Sequence, residues 1–162
     1  MGTRHYQVVI DKKGTKRVQQ YGQWDGYPSG QGLNILKYLK SGDLEKYQSN
    51  LEKIKTPTKN QIEAINKELA KNGLEHEKGG KYYHFNRDCG SQMHQLIEDG
   101  KVKNVQLMTK EEADKWCEGF YTIDFQNNTF QTEYYGISKK YQLDNLPSEE
   151  QYLQDCTEKE EE

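Results

Sequence analysis

The sequence lacks the features that would assign it to several common classes of protein. Its 162 residues contain no apolar run long enough to cross a membrane and no apolar leader typical of secreted proteins. Its three cysteines, Cys89, Cys117 and Cys156, are widely spaced and form no CxxC pair, so we expect free thiols and no disulfide framework. These absences predict a soluble, cytoplasmic protein without a membrane partner.

Apolar residues are also scarce, at 32% of the chain. Much of the core must therefore come from the 12 tyrosines, four phenylalanines and two tryptophans, which bury large areas while keeping a polar tip. A chain of this length has room for one modest core. We expect a single domain over residues 1–157, followed by a disordered acidic tail over residues 158–162.

The charge distribution shows no basic stripe. Net charge is -3 and the lysines are scattered, whereas a protein that binds DNA or RNA usually clusters cations against the phosphates. Polymeric nucleic acid is therefore not an expected partner. Only three of the 23 basic residues are arginines, Arg4, Arg17 and Arg87. Because arginine suits phosphate and carboxylate, these three are of interest, although we expect Arg17 to be an ordinary surface cation.

Residues 3–10 and 16–23 read as two strands of an N-terminal hairpin, with Asp11 facing Thr15 across the turn. The register that follows places Arg4 opposite Gly22 and His5 opposite Tyr21. A slip by one residue would place Arg4 opposite Tyr21 instead. In either register, Arg4 and His5 lie beside the end of the second strand.

Helix-capping residues recur through the middle of the chain. A first short helix follows Gly32 and ends at Ser41–Gly42. Later helix starts are predicted at Asp43, at Thr58 with Gln61, at Asp88, at Thr109 with Glu112, and at Ser148 with Gln151. Short strands are predicted at residues 82–85 and 103–108.

A second hairpin is predicted over residues 119–126 and 129–135, with Asn127–Asn128 as its two-residue turn. This register places Ile123 opposite Thr132. Together the elements predict an α+β fold with a mostly antiparallel sheet, built from N- and C-terminal hairpins and covered by a central helical block.

The segment between the first hairpin and the first helix has the composition of a ligand-holding loop. We call residues 20–32 the Trp24 loop; they carry aromatics, amides, one carboxylate and four glycines. Trp24 and Tyr27 could hold a planar base or the face of a sugar between them, while polar side chains contact its edges. The alternative is that the two aromatics plug the end of the sheet. The candidate ligand-binding residues of the loop are Tyr21, Gln23, Trp24, Asp25, Tyr27, Ser29 and Gln31.

Three residues outside the loop complete the predicted site. Arg4 and His5 could bind a phosphate at the loop, with His5 as donor or base, and Asp124 could form a third wall. Ordinary solvated strand residues are the alternative for all three. The spacing of the loop glycines matches neither a dinucleotide-binding nor a Walker motif.

No metal site or cofactor is predicted. His84, Cys89 and His94 are spaced five apart, which fits neither one helix face nor the common zinc spacings. No Cys–His pair or Ser–His–Asp set can be placed in one site, so no catalytic residue is assigned.

The segments Met1-Gly2-Thr3-Arg4-His5 and Gln20-Tyr21-Gly22-Gln23-Trp24-Asp25-Gly26-Tyr27-Pro28-Ser29-Gly30-Gln31-Gly32 resemble a family of small phage and prophage proteins of unknown activity, with similar sequences in fungi. Arg87-Asp88-Cys89-Gly90 and the segment from Trp116 to Phe125 resemble it too, whereas the central helices match poorly. The resemblance implies a protein of the host cytoplasm, and small phage proteins often block host defences, in some cases by sequestering cyclic nucleotide signals.

Three functions follow as hypotheses. The first is a binding protein that sequesters a nucleotide-derived molecule, with Trp24 and Tyr27 stacking and Arg4 meeting phosphate. The second is a small hydrolase or transferase with His5 and Asp25 or Asp124 as acid–base groups. The third is a protein-binding inhibitor of a host effector that uses exposed tyrosines. A homo-oligomer is compatible with all three.

Overall fold

The computed structural model describes residues 2–55, 58–72, 89–102, 105 and 107–157. In these residues the strands are β1 (His5–Ile10), β2 (Lys16–Gly22), β3 (Gly119–Asp124), β4 (Thr129–Tyr134) and β5 (Ile137–Gln142). The helices are α1 (Leu33–Ser41), α2 (Leu44–Leu51), α3 (Lys59–Asn72), α4 (Gln92–Glu98), α5 (Lys110–Trp116) and α6 (Glu149–Thr157). A π-helical turn, Pro28–Gly32, leads directly into α1.

The strands form one sheet in the order β2-β1-β3-β4-β5. Every neighbouring pair is antiparallel except β1 and β3, which run parallel and join the two hairpins. The prediction of an α+β fold with a mostly antiparallel sheet is confirmed. The parallel pairing matters for function because it brings the residues that precede β1 and β3 to the same end of the sheet.

The two faces of the sheet are covered differently. On the inner face, strand residues such as Val9 and Phe130 pack with side chains of α1, α2, α4 and α6 in the main core. On the outer face, Tyr6 and Val8 pack against Ala113 of α5 in a smaller cluster. Because successive residues of a strand point to opposite faces, His5 and Gln7 point inward with Val9.

The register of the first hairpin changes at a bulge. Ile10 lies opposite Lys16, but Val9 lies opposite Val18, so Arg17 is an extra residue on β2. The bulge places His5 opposite Gly22. Both predicted registers are therefore wrong, although the predicted adjacency of His5 to the Trp24 loop is confirmed.

Contacts of Arg17 account for the bulge. Its Nε donates to the buried Asp11 carboxylate over 2.8 Å, and its Nη1 donates to the Ile54 carbonyl over 3.2 Å. Asp11 N–H donates to Thr15 O as predicted, over 2.9 Å. The expectation that Arg17 is an ordinary surface cation is wrong, because it links the hairpin to the segment after α2.

The second hairpin turns through four residues, not two. Asp124 lies opposite Thr129, and its carboxylate accepts hydrogen bonds from the backbone N–H groups of Gln126 and Asn127 over 2.9 and 3.0 Å. An aspartate that binds the backbone two and three residues ahead closes a longer turn. The predicted register is thus wrong by two residues, which leaves the side chains on their predicted faces.

The predicted helix caps that lie in described residues agree with the structure: Asp43, Thr58 with Gln61, Thr109 and Ser148 each accept from a backbone N–H at a helix start. Strand β5 was not predicted. The predicted strand at residues 82–85, the cap at Asp88, residues 103, 104 and 106 of another predicted strand, and the acidic tail lie outside the described residues. The other residues of that strand, 105, 107 and 108, lie in irregular backbone.

Candidate functional site

The backbone of the Trp24 loop is held by hydrogen bonds to the rest of the fold. Gly26 N–H donates to the Thr3 carbonyl over 2.8 Å, and Gly26 O accepts from the Tyr121 hydroxyl over 2.5 Å. Inside the loop, Gln31 N–H donates to the Asp25 carbonyl over 2.8 Å. These contacts attach the loop to the segment before β1 and to β3, so its shape is determined before any ligand arrives.

Gln31 links the loop to the start of α4. Its Nε2 donates to the Trp24 carbonyl over 3.1 Å, while its Oε1 accepts from Ser91 N–H over 2.8 Å. The Ser91 hydroxyl donates to the Gln31 carbonyl over 3.2 Å. Both polar atoms of the Gln31 amide are therefore hydrogen-bonded to other residues of the protein, and the main role of Gln31 in the loop is structural.

The two aromatic side chains of the loop remain on the surface. Trp24 is 43% exposed and Tyr27 is 37% exposed, although the backbone between them is buried at Gly26. A plug for the end of the sheet would be buried, whereas both of these side chains are exposed. The structure therefore does not support the reading in which Trp24 and Tyr27 plug the sheet.

A carboxylate lies beside Tyr27. The Tyr27 hydroxyl donates to Asp25 Oδ1 over 3.0 Å, and this hydrogen bond raises the pKa of Tyr27. Asp25 has a φ of 57°, a left-handed conformation that aspartate tolerates better than most residues. Ser29 is exposed in the turn that follows. Trp24, Asp25, Tyr27 and Ser29 of the loop are thus all exposed.

Arg4 is paired with a carboxylate outside the loop. Its Nη2 donates to Glu118 Oε1 over 3.0 Å and its backbone N–H donates to Glu118 Oε2 over 2.8 Å. The hydrogen bond to Glu118 raises the pKa of Arg4. Tyr21 lies opposite Tyr6, on the outer face, and its hydroxyl donates to Gln23 Oε1. These groups do not converge with His5, which points inward.

His5 lies inside the protein, at 1% exposure, and not in an open site. Its Nδ1 lies 3.3 Å from Gln7 Nε2, and its Nε2 has no hydrogen-bond partner among the described residues. Burial lowers the pKa of His5 to about 4, against the opposing charge of Asp25. A neutral imidazole enclosed in this way is shielded from a ligand on the loop.

Gln7 is the centre of a buried polar network. Its Nε2 contacts His5 Nδ1 and donates to Ser91 Oγ over 3.0 Å, while its Oε1 lies 2.6 Å from His94 Nε2. His94 Nδ1 lies 2.9 Å from the Tyr47 hydroxyl. Since an amide oxygen can only accept, His94 carries its proton on Nε2, and His5 must accept at Nδ1. The network reaches the Trp24 loop through Ser91 and Gln31.

Because His5 and His94 are buried, we expect the protein to become less stable at mildly acidic pH. Burial lowers the pKa of His94 to about 3, with the charge of His5 as a further cause. In the folded protein, the pKa values of His5 and His94 lie below the ordinary histidine value of about 6.5. Between these folded values and pH 6.5, the unfolded chain therefore binds more protons than the folded protein does. The free energy of unfolding should therefore be highest above pH 6.5 and decrease as pH falls toward 4, by up to about 2.7 kcal/mol per pH unit for two histidines.

Urea denaturation at intervals between pH 7.5 and 5 measures this slope. His94→Gln removes one of the two titrating groups, so about half of the dependence of the unfolding free energy on pH should remain. Equal stability of the unmodified protein at both ends of this pH range would contradict the assignment of two buried, neutral histidines.

Asp124 does not belong to the candidate site. It pairs with Ile10, whereas the Trp24 loop lies at the His5–Gly119 end of the same strands. Five residues of strand separate the two ends, a distance of roughly 17 Å. Its carboxylate instead closes the β3–β4 turn through Gln126 and Asn127. The expectation that Asp124 forms a third wall of the site is wrong.

Sequence reasoning did not identify Gln7, Ser91 or Glu118 as part of this region. A signal for Gln7 is present, because it alternates with His5 and Val9 along a strand and so belongs to the buried face. A signal for His94 is its place between Met93 and Ile97 on the buried side of α4. The contacts of Ser91 and Glu118 depend on tertiary packing.

The cysteines show no sign of activation. Burial is the main cause that raises the pKa of Cys89 and Cys117 to about 12 and that of Cys156 to about 11, and all three thiols are free. A thiol with a raised pKa is a poor nucleophile near neutral pH. Within the part of the chain that is described, no three His, Cys, Asp or Glu side chains are grouped to hold a metal ion, and His84 lies outside that part.

Comparisons with known protein families, with curated proteins and with solved structures found no match. Across the described residues, no helix is both long and apolar enough to span a membrane.

Proposed function

We propose that the protein binds a small nucleotide-derived molecule on the Trp24 loop and acts by sequestering it. The observation that carries this proposal is the exposure of two aromatic side chains, Trp24 and Tyr27, on a loop whose backbone is anchored to β3 and to the segment before β1. Two exposed aromatics with this support suit recognition, because a prearranged surface loses little conformational entropy on binding.

The chemistry of the loop favours the base part of such a ligand. A planar ring can stack on Trp24 or Tyr27, since stacking depends on the π-face that every nucleobase presents. Asp25 accepts one hydrogen bond from Tyr27 and keeps further acceptor capacity for the amino or imino groups of a base. A purine with N–H donors on its edge fits this arrangement. Arg4, the residue predicted to bind a phosphate, has its charge compensated by Glu118, so the loop favours the base part of the ligand.

Three observations support binding without turnover. His5, the residue named for acid–base work in the enzyme hypothesis, is enclosed and neutral, and Asp124 lies at the other end of the sheet. The cysteine thiols have raised pKa values. The resemblance to phage and prophage proteins extends the proposal to a counter-defence role, in which the sequestered molecule is a cyclic nucleotide immune signal in the host cytoplasm.

Isothermal titration calorimetry with cyclic and ADP-ribose-derived nucleotides tests the proposal. We expect at least one to bind, with Trp24→Ala and Tyr27→Ala each weakening affinity by about tenfold to a hundredfold, the effect of losing one stacking partner. Trp116→Ala is the matched control, because Trp116 is 56% exposed and lies outside the loop.

Mass spectrometry of the bound ligand after long incubation separates binding from catalysis, with intact ligand expected. Absence of binding across the panel would overturn the proposal, and so would binding that Trp24→Ala leaves unchanged. Recovery of a cleaved product would instead favour the hydrolase hypothesis.

A further inference from the structure

The outer face of the sheet holds a cavity of about 260 Å³ at the β4–β5 turn. It lies between α5 and the strands, on the face opposite to the main helical core. Its floor and walls include Phe120 and Glu133, which face each other across β3 and β4, and Ser138, which faces Glu133 on β5. This cavity is separate from the Trp24 loop and is not used in the function proposed above.

The charges around the cavity leave one carboxylate available. Glu118 lines it but is paired with Arg4, and Lys110 lines it but is paired with Asp114. Within the described part of the chain, Glu133 accepts one long hydrogen bond, 3.3 Å, from the neutral amide of Gln131. With the two ion pairs balanced, the side chain that gives the cavity its net charge is the Glu133 carboxylate.

Aromatic rings complement this carboxylate. The Lys110 ammonium lies 4.7 Å from the centre of the Phe120 ring, so a cation of the protein already covers that ring, and Tyr135 is the aromatic side chain left for a ligand. Tyr135, at the rim, is 69% exposed. Aromatic rings beside a carboxylate are the usual environment of a bound organic ammonium ion.

Tyr135 occupies a position that disfavours tyrosine. Tyr134 pairs with Ile137, so Tyr135 and Gly136 form a two-residue turn, with φ of 44° and 82°. Turns with positive φ at both residues prefer Asn-Gly, and a bulky side chain there costs about 1 kcal/mol. The tyrosine therefore does not serve the turn; its exposed ring packs edge-on against Tyr134, with 4.6 Å between the ring centres, at the rim of the cavity.

We propose that this cavity binds a small organic ammonium ion, with the charge at Glu133 and the alkyl groups against Tyr135. The ligand would be a quaternary ammonium ion or a protonated primary amine with a few carbon atoms, a size that a volume of about 260 Å³ admits. Anions are disfavoured by Glu133.

NMR titration of ¹⁵N-labelled protein tests the proposal with choline and n-butylammonium as probes. We expect saturable shifts of amides around the cavity with at least one of them. The neutral isostere 3,3-dimethylbutan-1-ol should produce no such shifts. Trp24→Ala should leave the response to the amines unchanged, so the outcome is independent of the function of the loop.

Two variants locate the site. Glu133→Gln should weaken amine binding about tenfold, because it removes the charge while keeping the shape of the side chain. Tyr135→Asn should weaken it about threefold, the effect of losing one exposed cation–π contact. Since asparagine suits the turn, the second variant should also melt at a higher temperature than the unmodified protein.

The proposal is overturned if neither amine shifts the cavity amides at millimolar concentration, or if the neutral isostere shifts them equally. Unchanged amine affinity in Glu133→Gln, with the fold verified by circular dichroism, would also overturn it.

Discussion

Replacing Gly119 with alanine is expected to lower the free energy of unfolding by about 3 kcal/mol or more, the upper range for overpacking a site that cannot relax. A Cβ at Gly119 would lie 2.1 Å from the Gly26 carbonyl oxygen and 3.1 Å from its carbon. The new Cβ, which is fixed to the backbone of β3, would meet backbone atoms of Gly26. No flexible side chain could therefore move away to relieve the contact. The Trp24 loop would have to leave β3, and Gly26 would lose its contact with Tyr121.

Chemical denaturation measures the loss, and Gly100→Ala is the matched control. Among the described residues, and apart from its chain neighbours, the atom nearest to a Cβ at Gly100 would be Asn50 Nδ2 at 3.6 Å, but the φ of 74° disfavours alanine. That control should therefore lose only about 1 kcal/mol, the cost of a left-handed alanine. Equal losses in the two variants would show that the loop does not rest on Gly119 as described.

The second large effect is expected for Gln7→Leu, which removes the centre of the buried polar network. His5, Ser91 and His94 would each lose a hydrogen bond to the Gln7 amide inside the core. A buried polar group without a partner costs about 1–3 kcal/mol, so we expect a loss of about 3 kcal/mol or more at pH 7.

Urea denaturation of Gln131→Leu provides the comparison for Gln7→Leu. Gln131 lies on the outer face and binds Glu133 and Ser138 at the surface. The same chemical change there should alter stability by less than about 0.5 kcal/mol. A loss below 1 kcal/mol in Gln7→Leu would contradict the hydrogen bonds assigned to the network.

Much of the local structure was predictable because its causes lie within a few residues. Asp43 and Thr58 each bind a backbone N–H three residues ahead, and this interaction is visible as a sequence pattern. The hairpins were found for the same reason, but their registers were not. The bulge at Arg17 depends on Ile54, which is distant in sequence, and the pairing beside Asp124 depends on the backbone hydrogen bonds that its carboxylate accepts.

Strand β5 was missed because its inner face is weakly apolar. Only Ile137 and Tyr141 mark that face, with Lys139 between them. A strand at the edge of a sheet tolerates lysines, which discourage pairing with another chain. The period-2 signal is therefore too weak to separate this strand from a polar loop.

The candidate site was predictable in position but not in arrangement. The composition of the Trp24 loop predicted a ligand-holding loop; the structure shows that Trp24 and Tyr27 are exposed, and ligand binding stays a prediction. Arg4 and His5 are neighbours in sequence, yet the strand sends His5 inward while Arg4 pairs with Glu118. Strand alternation indicates this separation. The pairing of Arg4 with Glu118 depends on the parallel contact of β1 with β3, which joins segments more than a hundred residues apart.

Single-tryptophan fluorescence tests the central claim, stacking of a ligand on the Trp24 loop, most directly. Trp24 and Trp116 are both exposed and are the only tryptophans, so Trp116→Phe leaves Trp24 as the reporter and Trp24→Phe leaves Trp116. We expect the nucleotide that binds by calorimetry to quench Trp24 saturably in the first variant and to leave Trp116 unaffected in the second. Binding without a change in Trp24 emission, or equal quenching in both variants, would contradict the account.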